Sequence, residues 1–180
     1  MTEPWLVVVD MQVVFGDPKS AWYTSGYPAI EPTVARLVEH FGEHVVLTRF
    51  IAPDHPTGAW VDYYEQWPFA LVHHTDPLYE LMPAFAGGGH PVISRTTFGK
   101  WGDELSTIIG ADAAVILAGV STDCCVLSTA LAAADAGVRV IVVDDACAGL
   151  SDADHQRALD AMALYGPLIE ITTAAAVLSR

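Results

Sequence analysis

The chain has 180 residues, of which 52% are hydrophobic, and its 8 Lys and Arg against 22 Asp and Glu give a net charge of -14. Nucleic acids and anionic membranes would repel so acidic a surface, so we expect neither as a partner. A chain of this length buries roughly 70% of its unfolded surface and needs no disulfide support, so we predict a single domain over 1–180.

The N-terminal segment MTEPWLVVVDMQ contains the first predicted strand, at 5–10. It has neither the basic region nor the small-residue cleavage site of a secretory signal peptide, and no apolar run reaches membrane-spanning length. Three cysteines without framework spacing are typical of a reducing compartment. We therefore expect a cytoplasmic protein.

Apolar strands and helices alternate along the rest of the chain, apart from a segment at 51–90 that Pro and Gly interrupt often. The predicted helices cover 31–42, 102–109, 125–137 and 152–166. The predicted strands cover 44–50, 90–95, 113–120 and 138–146, and 168–178 completes the fold. Apolar strands that alternate with helices indicate a parallel sheet covered on both faces. We predict a three-layer α/β/α domain with a mainly parallel, Rossmann-like sheet of five or six strands.

Polar residues follow several of these strands, and ligands in such folds bind beyond the carboxyl ends of the strands. The residues in question are Asp10, Arg49, Arg95, 121–125, Asp144 and Asp145. They are predicted to gather on one rim of the sheet, which is where we expect the functional site.

Two adjacent cysteines, Cys124 and Cys125, lie where the central strand gives way to a helix. Unpaired N–H groups and the dipole at a helix N-terminus favour an anion, so they lower the pKa of a thiol and stabilise an oxyanion. Thr122 or Asp123 is the candidate N-cap. Free cysteines are also often buried packing residues, which is the simpler interpretation of Cys147. The residue types alone do not distinguish the two adjacent thiols.

Several other chemistries lack a residue that they require. A cysteine phosphatase loop needs an Arg six residues after its Cys, where Ala130 and Leu131 stand. A redox pair needs Cys-x-x-Cys, and zinc needs further Cys or His at ligand spacing. Asp10 is a candidate general base because it ends a buried strand. A haloacid-dehalogenase-type phosphatase would also need an Asp at Gln12.

Two long segments resemble the isochorismatase-like cysteine hydrolase superfamily, which includes nicotinamidases and N-carbamoylsarcosine amidase. One is VVVDMQVVF, and the other is LAGVSTDCCVLSTALAAADAGVRVIVVDDACA, similar to the pattern G-V-x-T-D-x-C-V-x-x-T-A followed by G-x-x-V-x-V-x-x-D-A. His155 also resembles a frequent family position. The resemblance implies a cofactor-independent hydrolase of a C–N bond in a small amide or carbamoyl compound. It also implies a homo-oligomer, often a dimer or tetramer.

The resemblance further implies a catalytic triad of Asp, Lys and Cys. Asp10 matches the Asp, and Cys125 matches the nucleophile, because the family's Cys immediately precedes the Val-x-x-Thr segment. A cis peptide between Val120 and Ser121 is also implied, with an oxyanion hole formed by the amides of Ser121 and Cys125.

The triad Lys is where the sequence departs from the family. Aligned on the strand at 90–95, its position holds Arg95, and Lys100 follows five residues later. An arginine stabilises a thiolate but is a poor proton donor. We favour Arg95 by position, with Lys100 as the alternative. The departure leaves a second function open, a non-catalytic or weakly active binding or assembly protein with the same fold.

The metal site of nicotinamidases is also not matched. They bind a divalent ion through Asp-x-His and a later His, whereas Asp54 and His55 are adjacent here, and His73 and His74 have no recognisable frame. We therefore expect no catalytic metal, and nicotinamide is disfavoured as the substrate. True isochorismatases lack the nucleophilic Cys, so vinyl-ether hydrolysis is disfavoured too.

Aromatic residues are the candidate walls of a substrate pocket, although core packing explains each of them equally well. The candidates are the aromatic residues within 60–67, with Trp60 and Tyr64 preferred, together with Phe15, Phe98 and Trp101.

Overall fold

A computed structural model describes residues 3–110 and 113–179. The predicted domain boundaries at Met1 and Arg180 therefore lie outside the described residues. The chain folds as a single domain around one six-stranded sheet in the order β3-β2-β1-β4-β5-β6, and every pair of neighbours is parallel. The strands are β1 Trp5–Val9, β2 Val45–Phe50, β3 Val92–Arg95, β4 Val115–Val120, β5 Val140–Ala148 and β6 Ile169–Thr172. The predicted parallel α/β fold is confirmed, with six strands.

Helices cover both faces of the sheet, because successive side chains of a strand point to opposite sides. In β1, Leu6 and Val8 pack with α2, α3 and α7, whereas Val7 and Val9 pack with α4, α5 and α6. The helices are α1 Val13–Gly16, α2 Tyr27–Phe41, α3 Ala59–Gln66, α4 Asp103–Ile109, α5 Leu127–Asp135, α6 Asp152–Ala163 and α7 Ala174–Leu178. None of the helices in the described part of the chain is long and apolar enough to cross a membrane.

Several predicted boundaries were wrong. Helix α2 begins at Tyr27, with Pro28 in its first turn, where proline costs no helical N–H bond. Pro32 lies inside the same helix and removes one of its backbone hydrogen bonds. The irregular segment at 51–90 contains α3 and two short 3-10 helices, Pro68–Ala70 and Pro77–Tyr79. The predicted helix at 125–137 is preceded by a π-helical turn, Thr122–Val126, which leads directly into α5.

Strand β5 also runs further than predicted, through an irregularity in its pairing with β4. Val142 pairs with Leu117, but the next pair is Cys147 with Gly119, so β5 carries extra residues at this point. Asp144 and Asp145 lie in this bulge rather than beyond the strand end. The Asp145 carboxylate accepts a hydrogen bond from the backbone N–H that begins α7, at 2.6 Å.

The two central strands approach closely where the site begins. Gly119 has φ +122°, and a Cβ added there would lie 2.1 Å from the carbonyl oxygen of Val9. Glycine is therefore required, both for the backbone conformation and for the close contact between β1 and β4. The chain order reverses between these strands, which is where α/β folds place their ligand crevice.

The π-helical turn is held to the neighbouring elements by polar contacts. The hydroxyl of Thr122 and Nδ1 of His155 are 2.8 Å apart, and Nε2 of the same histidine lies 2.9 Å from the Asp144 carboxylate. The Asp123 carboxylate accepts a hydrogen bond of 2.9 Å from the backbone N–H of Leu150. The turn is thereby fixed to β5, to α6 and to the loop between them.

His155→Leu is expected to destabilise the protein by about 1–3 kcal/mol, because the fully buried Thr122 hydroxyl loses its partner. His155→Gln keeps a donor and an acceptor and should cost less. Gln156→Leu, on the exposed side of the same helix, should change stability by less than about 0.5 kcal/mol. Urea unfolding measures all three, and equal losses for the two leucine variants would contradict the role of His155.

The buried thiol of Cys147 makes stability fall at alkaline pH. Burial raises its pKa from 9.0 to about 12, so the folded protein keeps a proton that the unfolded chain releases. Between these values, the free energy of unfolding should fall by about 1.4 kcal/mol per pH unit on account of this group. Unfolding measured from pH 8 to 11 should show a shallower slope in Cys147→Ala. Identical slopes in the two proteins would refute the assignment.

Candidate active site

A fully buried ion pair lies at the carboxyl end of β1. The ammonium of Lys100 is 3.0 Å from Oδ2 of Asp10, and both side chains are 0% exposed. The same ammonium donates a hydrogen bond to the carbonyl oxygen of Thr97 at 2.9 Å, which satisfies one of its three N–H groups. Phe50 covers the ammonium, with its ring centre 5.2 Å away. Two charges this deeply buried are stable only as a pair.

The other carboxylate oxygen of Asp10 is fixed by β2. The hydroxyl of Thr48 donates to Oδ1 at 2.6 Å, and the same hydroxyl accepts from the backbone N–H of Asp10 at 3.2 Å. Asp10 has φ +50°, a left-handed conformation that Asp tolerates better than most residues. The side chain of the fully buried Gln12 bonds both backbone groups of Phe50 and the carbonyl of Tyr79. The chain leaving β1 is therefore held on several sides.

Thr129 links Lys100 to the cysteine turn. Its hydroxyl accepts a hydrogen bond from the backbone N–H of Lys100 at 3.0 Å and donates one to the carbonyl oxygen of Cys125 at 2.6 Å. One buried hydroxyl therefore fixes the loop that carries the cation against the turn that carries the thiol. Neither Thr48 nor Thr129 was predicted as a site residue, although Thr129 stands in the family motif.

The structure brings Lys100 to Asp10 and leaves Arg95 elsewhere, so the sequence preference for Arg95 was wrong. Arg95 ends the edge strand β3, and β2 lies between it and β1, a separation of about 10 Å at usual strand spacing. Its guanidinium lies 3.5 Å from Glu104 at the start of α4. The loop beyond β3 returns toward α5, where the backbone N–H of Lys100 bonds Thr129, and places the Lys100 ammonium beside Asp10.

Cys125 lies in the π-helical turn and is 3% exposed. Burial raises the pKa of its thiol well above the ordinary value; the charge of Asp10 and a hydrogen bond with that carboxylate raise it further, against the opposing charge of Lys100. The sequence expectation of a lowered pKa is therefore wrong, because desolvation and the charge of Asp10 outweigh the charge of Lys100. At neutral pH the resting group is a thiol beside a carboxylate.

Cys124 is more exposed than Cys125 and lies closer to Asp123. Its sulfur is 3.8 Å from Oδ2 of that residue, and burial followed by the carboxylate charge raises the pKa of its thiol. The peptide bond between Val120 and Ser121, which leads into this turn, is cis. Cys147 lies in β5, away from both, and its thiol donates to the carbonyl oxygen of Leu117 at 3.8 Å.

A cavity of about 240 Å³ opens above the turn. Its lining consists of Phe15, Ala21, Trp22, Thr24, Phe50, Tyr63, Trp67, Phe98, Ser121, Asp123, Cys124, Cys125 and Leu150. Both residues expected to form the oxyanion hole, Ser121 and Cys125, therefore border the same space. The volume lies below the roughly 300–1,000 Å³ of sites for drug-sized ligands, so the cavity suits a small molecule.

The aromatic walls of this cavity differ in part from the predicted ones. Phe15 and Phe98 line it, but Trp60, Tyr64 and Trp101 do not. Trp60 and Tyr64 are four residues apart, so they lie on the same face of α3. That face points away from the cavity, and both side chains pack against the core. Trp101 packs on the opposite face of the sheet.

The aromatic segment 60–67 reaches the cavity through residues other than the preferred Trp60 and Tyr64, and one further aromatic residue, Trp22, was not predicted. Tyr63 and Trp67 occupy the neighbouring face of α3 and its C-terminal end, and Trp22 comes from the segment between α1 and α2. Trp22 lies within 6.2 Å, centre to centre, of Phe15, Tyr63 and Trp67. Helical periodicity within 59–66 is the signal that would have separated the two faces of α3.

A group of possible metal ligands lies outside the cavity lining. The ligand atoms of Asp54, His73 and His74 all lie within 4.8 Å of one another, and all three residues are exposed. Nδ1 of His73 already contacts the Thr75 hydroxyl at 2.8 Å. A carboxylate and two imidazoles fit zinc by donor type. The fold brings these three residues together, although their spacing in the sequence did not indicate a metal site. None of the three lines the cavity above Cys125.

Comparison with solved structures gave matches over nearly the whole chain. A cysteine hydrolase from Pseudomonas syringae pv. phaseolicola is 26% identical with a TM-score of 0.86, over 98% of this chain and 91% of the other. A pyrazinamidase of Pyrococcus horikoshii in complex with zinc is 28% identical with a TM-score of 0.76, over 95% and 98%. An Acinetobacter baumanii nicotinamidase pyrazinamidase, 24% identical with a TM-score of 0.77 over 97% of each chain, shares the fold.

A search among curated proteins found no significant match. The sequence itself, however, matches a family model described as the isochorismatase domain, and the match extends over residues 4–176. The match covers all six strands and the residues that form the ion pair and the cysteine turn. The chain belongs to the isochorismatase domain family.

Proposed function

We propose that this protein is a cysteine-dependent hydrolase that cleaves the C–N bond of a small amide or carbamoyl compound through a thioester. The observation that carries the proposal is the Cys125 thiol at the base of the cavity, next to the Asp10–Lys100 pair. Membership of the isochorismatase family supports a hydrolase, as do solved neighbours whose names describe cysteine hydrolase and pyrazinamidase proteins.

In the first half of the reaction, the thiol of Cys125 attacks the substrate carbonyl and its proton passes to Asp10. A nucleophile that is neutral at rest needs such a base at the moment of attack. The amides of Ser121 and Cys125 hold the oxyanion of the tetrahedral intermediate. The C–N bond then breaks, and the departing nitrogen takes the proton back from Asp10, which leaves a thioester.

In the second half, a water molecule attacks the thioester and gives a proton to Asp10. The C–S bond breaks, and Cys125 recovers the proton as the acid product leaves. The balance is one water consumed, with one amine or ammonia and one acid released. Lys100 stays charged throughout and compensates the negative charge that moves between the sulfur and the carboxylate.

Asp54, His73 and His74 would hold a divalent ion such as zinc, which supplies Lewis-acid chemistry when bound. The steps above use only residues of the cavity and the buried pair. The absence of a catalytic metal stays a prediction, as do the homo-oligomer and the cytoplasmic location.

The non-catalytic alternative was based on an arginine at the position of the family's lysine. The position of Lys100, 3.0 Å from Asp10, supports the enzyme, since the cation is supplied from the next loop. No contact among the described residues specifically favours an assembly role.

Cys125→Ala is expected to reduce turnover by at least about 10⁴-fold, because the thioester no longer forms. Cys124→Ala is the matched control, since its thiol lies next in sequence and also lines the cavity. It should keep turnover within about threefold. Ammonia release from a panel of small amides, with mass spectrometry of the acylated protein, measures both. Loss of turnover in Cys124→Ala with retention in Cys125→Ala would reverse the assignment.

Lys100→Met is expected to abolish turnover and to lower stability by about 3–5 kcal/mol, because Asp10 is left as a buried, unpaired charge. The double variant Lys100→Met with Asp10→Asn removes both charges and should recover much of the stability but no activity. Arg95→Met should lose less than about threefold in turnover, since its guanidinium contacts Glu104. Urea unfolding and ammonia release report the two effects, and an inactive Arg95→Met with an active Lys100→Met would disprove the placement.

A further inference from the structure

The charged groups around the cavity indicate which substrate charge it favours, a property that family membership leaves open. Among the described residues that line the cavity, Asp123 is the one with a formally charged side chain at neutral pH. Lys100 is fully buried and neutralised by Asp10, and the guanidinium of Arg95 faces Glu104 outside the lining. The cavity therefore offers a bound carboxylate or phosphate no exposed cation to pair with.

Asp123 keeps one carboxylate oxygen for a ligand. Oδ1 accepts from the backbone N–H of Leu150 at 2.9 Å, whereas Oδ2 lies 3.8 Å from the sulfur of Cys124. A thiol is a weak donor and leaves most of the acceptor capacity of that oxygen unused. Both Asp123 and Cys124 border the cavity, so the carboxylate acts on whatever occupies it.

The aromatic walls favour the same sign of charge. Trp22 lies against Phe15 and Tyr63, and all three border the cavity. Aromatic faces attract cations and offer nothing to anions, which would lose hydration without a replacement. The net charge of -14 for the whole chain adds a long-range field that attracts cations and repels anions.

We propose that the substrate is an amide with an apolar body and no negative charge, and that the site favours a positively charged group, held by Asp123 and the aromatic walls. This inference rests on the proposed function, because it concerns the same cavity. It disfavours carboxylate-bearing amides and carbamoyl acids within the broader class proposed above.

The test uses three benzamides of closely similar size: 4-(aminomethyl)benzamide as the cation, 4-ethylbenzamide as the neutral compound and 4-carbamoylbenzoate as the anion. Calorimetry measures binding of each to the intact protein, and ammonia release measures kcat/KM. The cation should bind best, and the anion at least about tenfold more weakly than the neutral compound. An anion that binds as well as the neutral compound would overturn the inference, as would no binding by any of the three.

Asp123→Asn isolates the contribution of the carboxylate, because asparagine still accepts a hydrogen bond from Leu150. The ratio of cation to neutral binding should fall by about tenfold in this variant. Asp62→Asn, on the exposed surface of α3, removes an equal charge away from the cavity and should leave that ratio unchanged. Equal effects of the two variants would show that the net charge of the chain, and not the cavity, sets the preference, and the inference would fail.

Failure of the proposed function has a different signature. If the amides bind in the expected order but release no ammonia and leave no acyl group on Cys125, the hydrolase mechanism is wrong while the charge preference stands. If ammonia is released from the anion as readily as from the cation, the mechanism stands and the charge preference is wrong.

Discussion

The buried ion pair between Lys100 and Asp10 is the contact on which the site depends. Neither charge touches water, so each would destabilise the fold by several kcal/mol without the other. The pair therefore requires that β1, β2 and the loop after β3 meet in one arrangement. The hydroxyls of Thr48 and Thr129 complete that arrangement, and the second of them also holds the backbone of Cys125.

The same burial determines the state of the nucleophile. A thiol that is desolvated beside a carboxylate stays protonated, even with an ammonium nearby, so the proposed reaction depends on proton transfer to Asp10 during attack. A weak response of Cys125 to thiol reagents at neutral pH would therefore not distinguish an enzyme from an inert scaffold. Product release and acylation by an amide are the measurements that separate the two functions.

The cavity combines one carboxylate with aromatic walls, whereas the reacting groups form a nearly neutral unit beneath it. In the proposed reaction, recognition and chemistry are therefore carried by different residues, Asp123 and Trp22 on one side and Asp10 and Lys100 on the other. Such a division lets substrate preference change through the aromatic segments from α1 to α3 without disturbing the buried pair. It also explains how family membership leaves the substrate open.

Much of this protein follows from its sequence alone. Apolar strands that alternate with helices predicted the parallel sheet, and the family motif selected Asp10 and Cys125, because these signals are local and periodic. Only the tertiary structure decided between Arg95 and Lys100, since the choice depends on which loop crosses two strand spacings to reach β1. It also decided which aromatic residues line the cavity, because packing against distant elements determines which face of a helix points inward. The raised pKa of the Cys125 thiol also could not be predicted from the sequence, because desolvation depends on all the residues that surround the thiol in the folded protein.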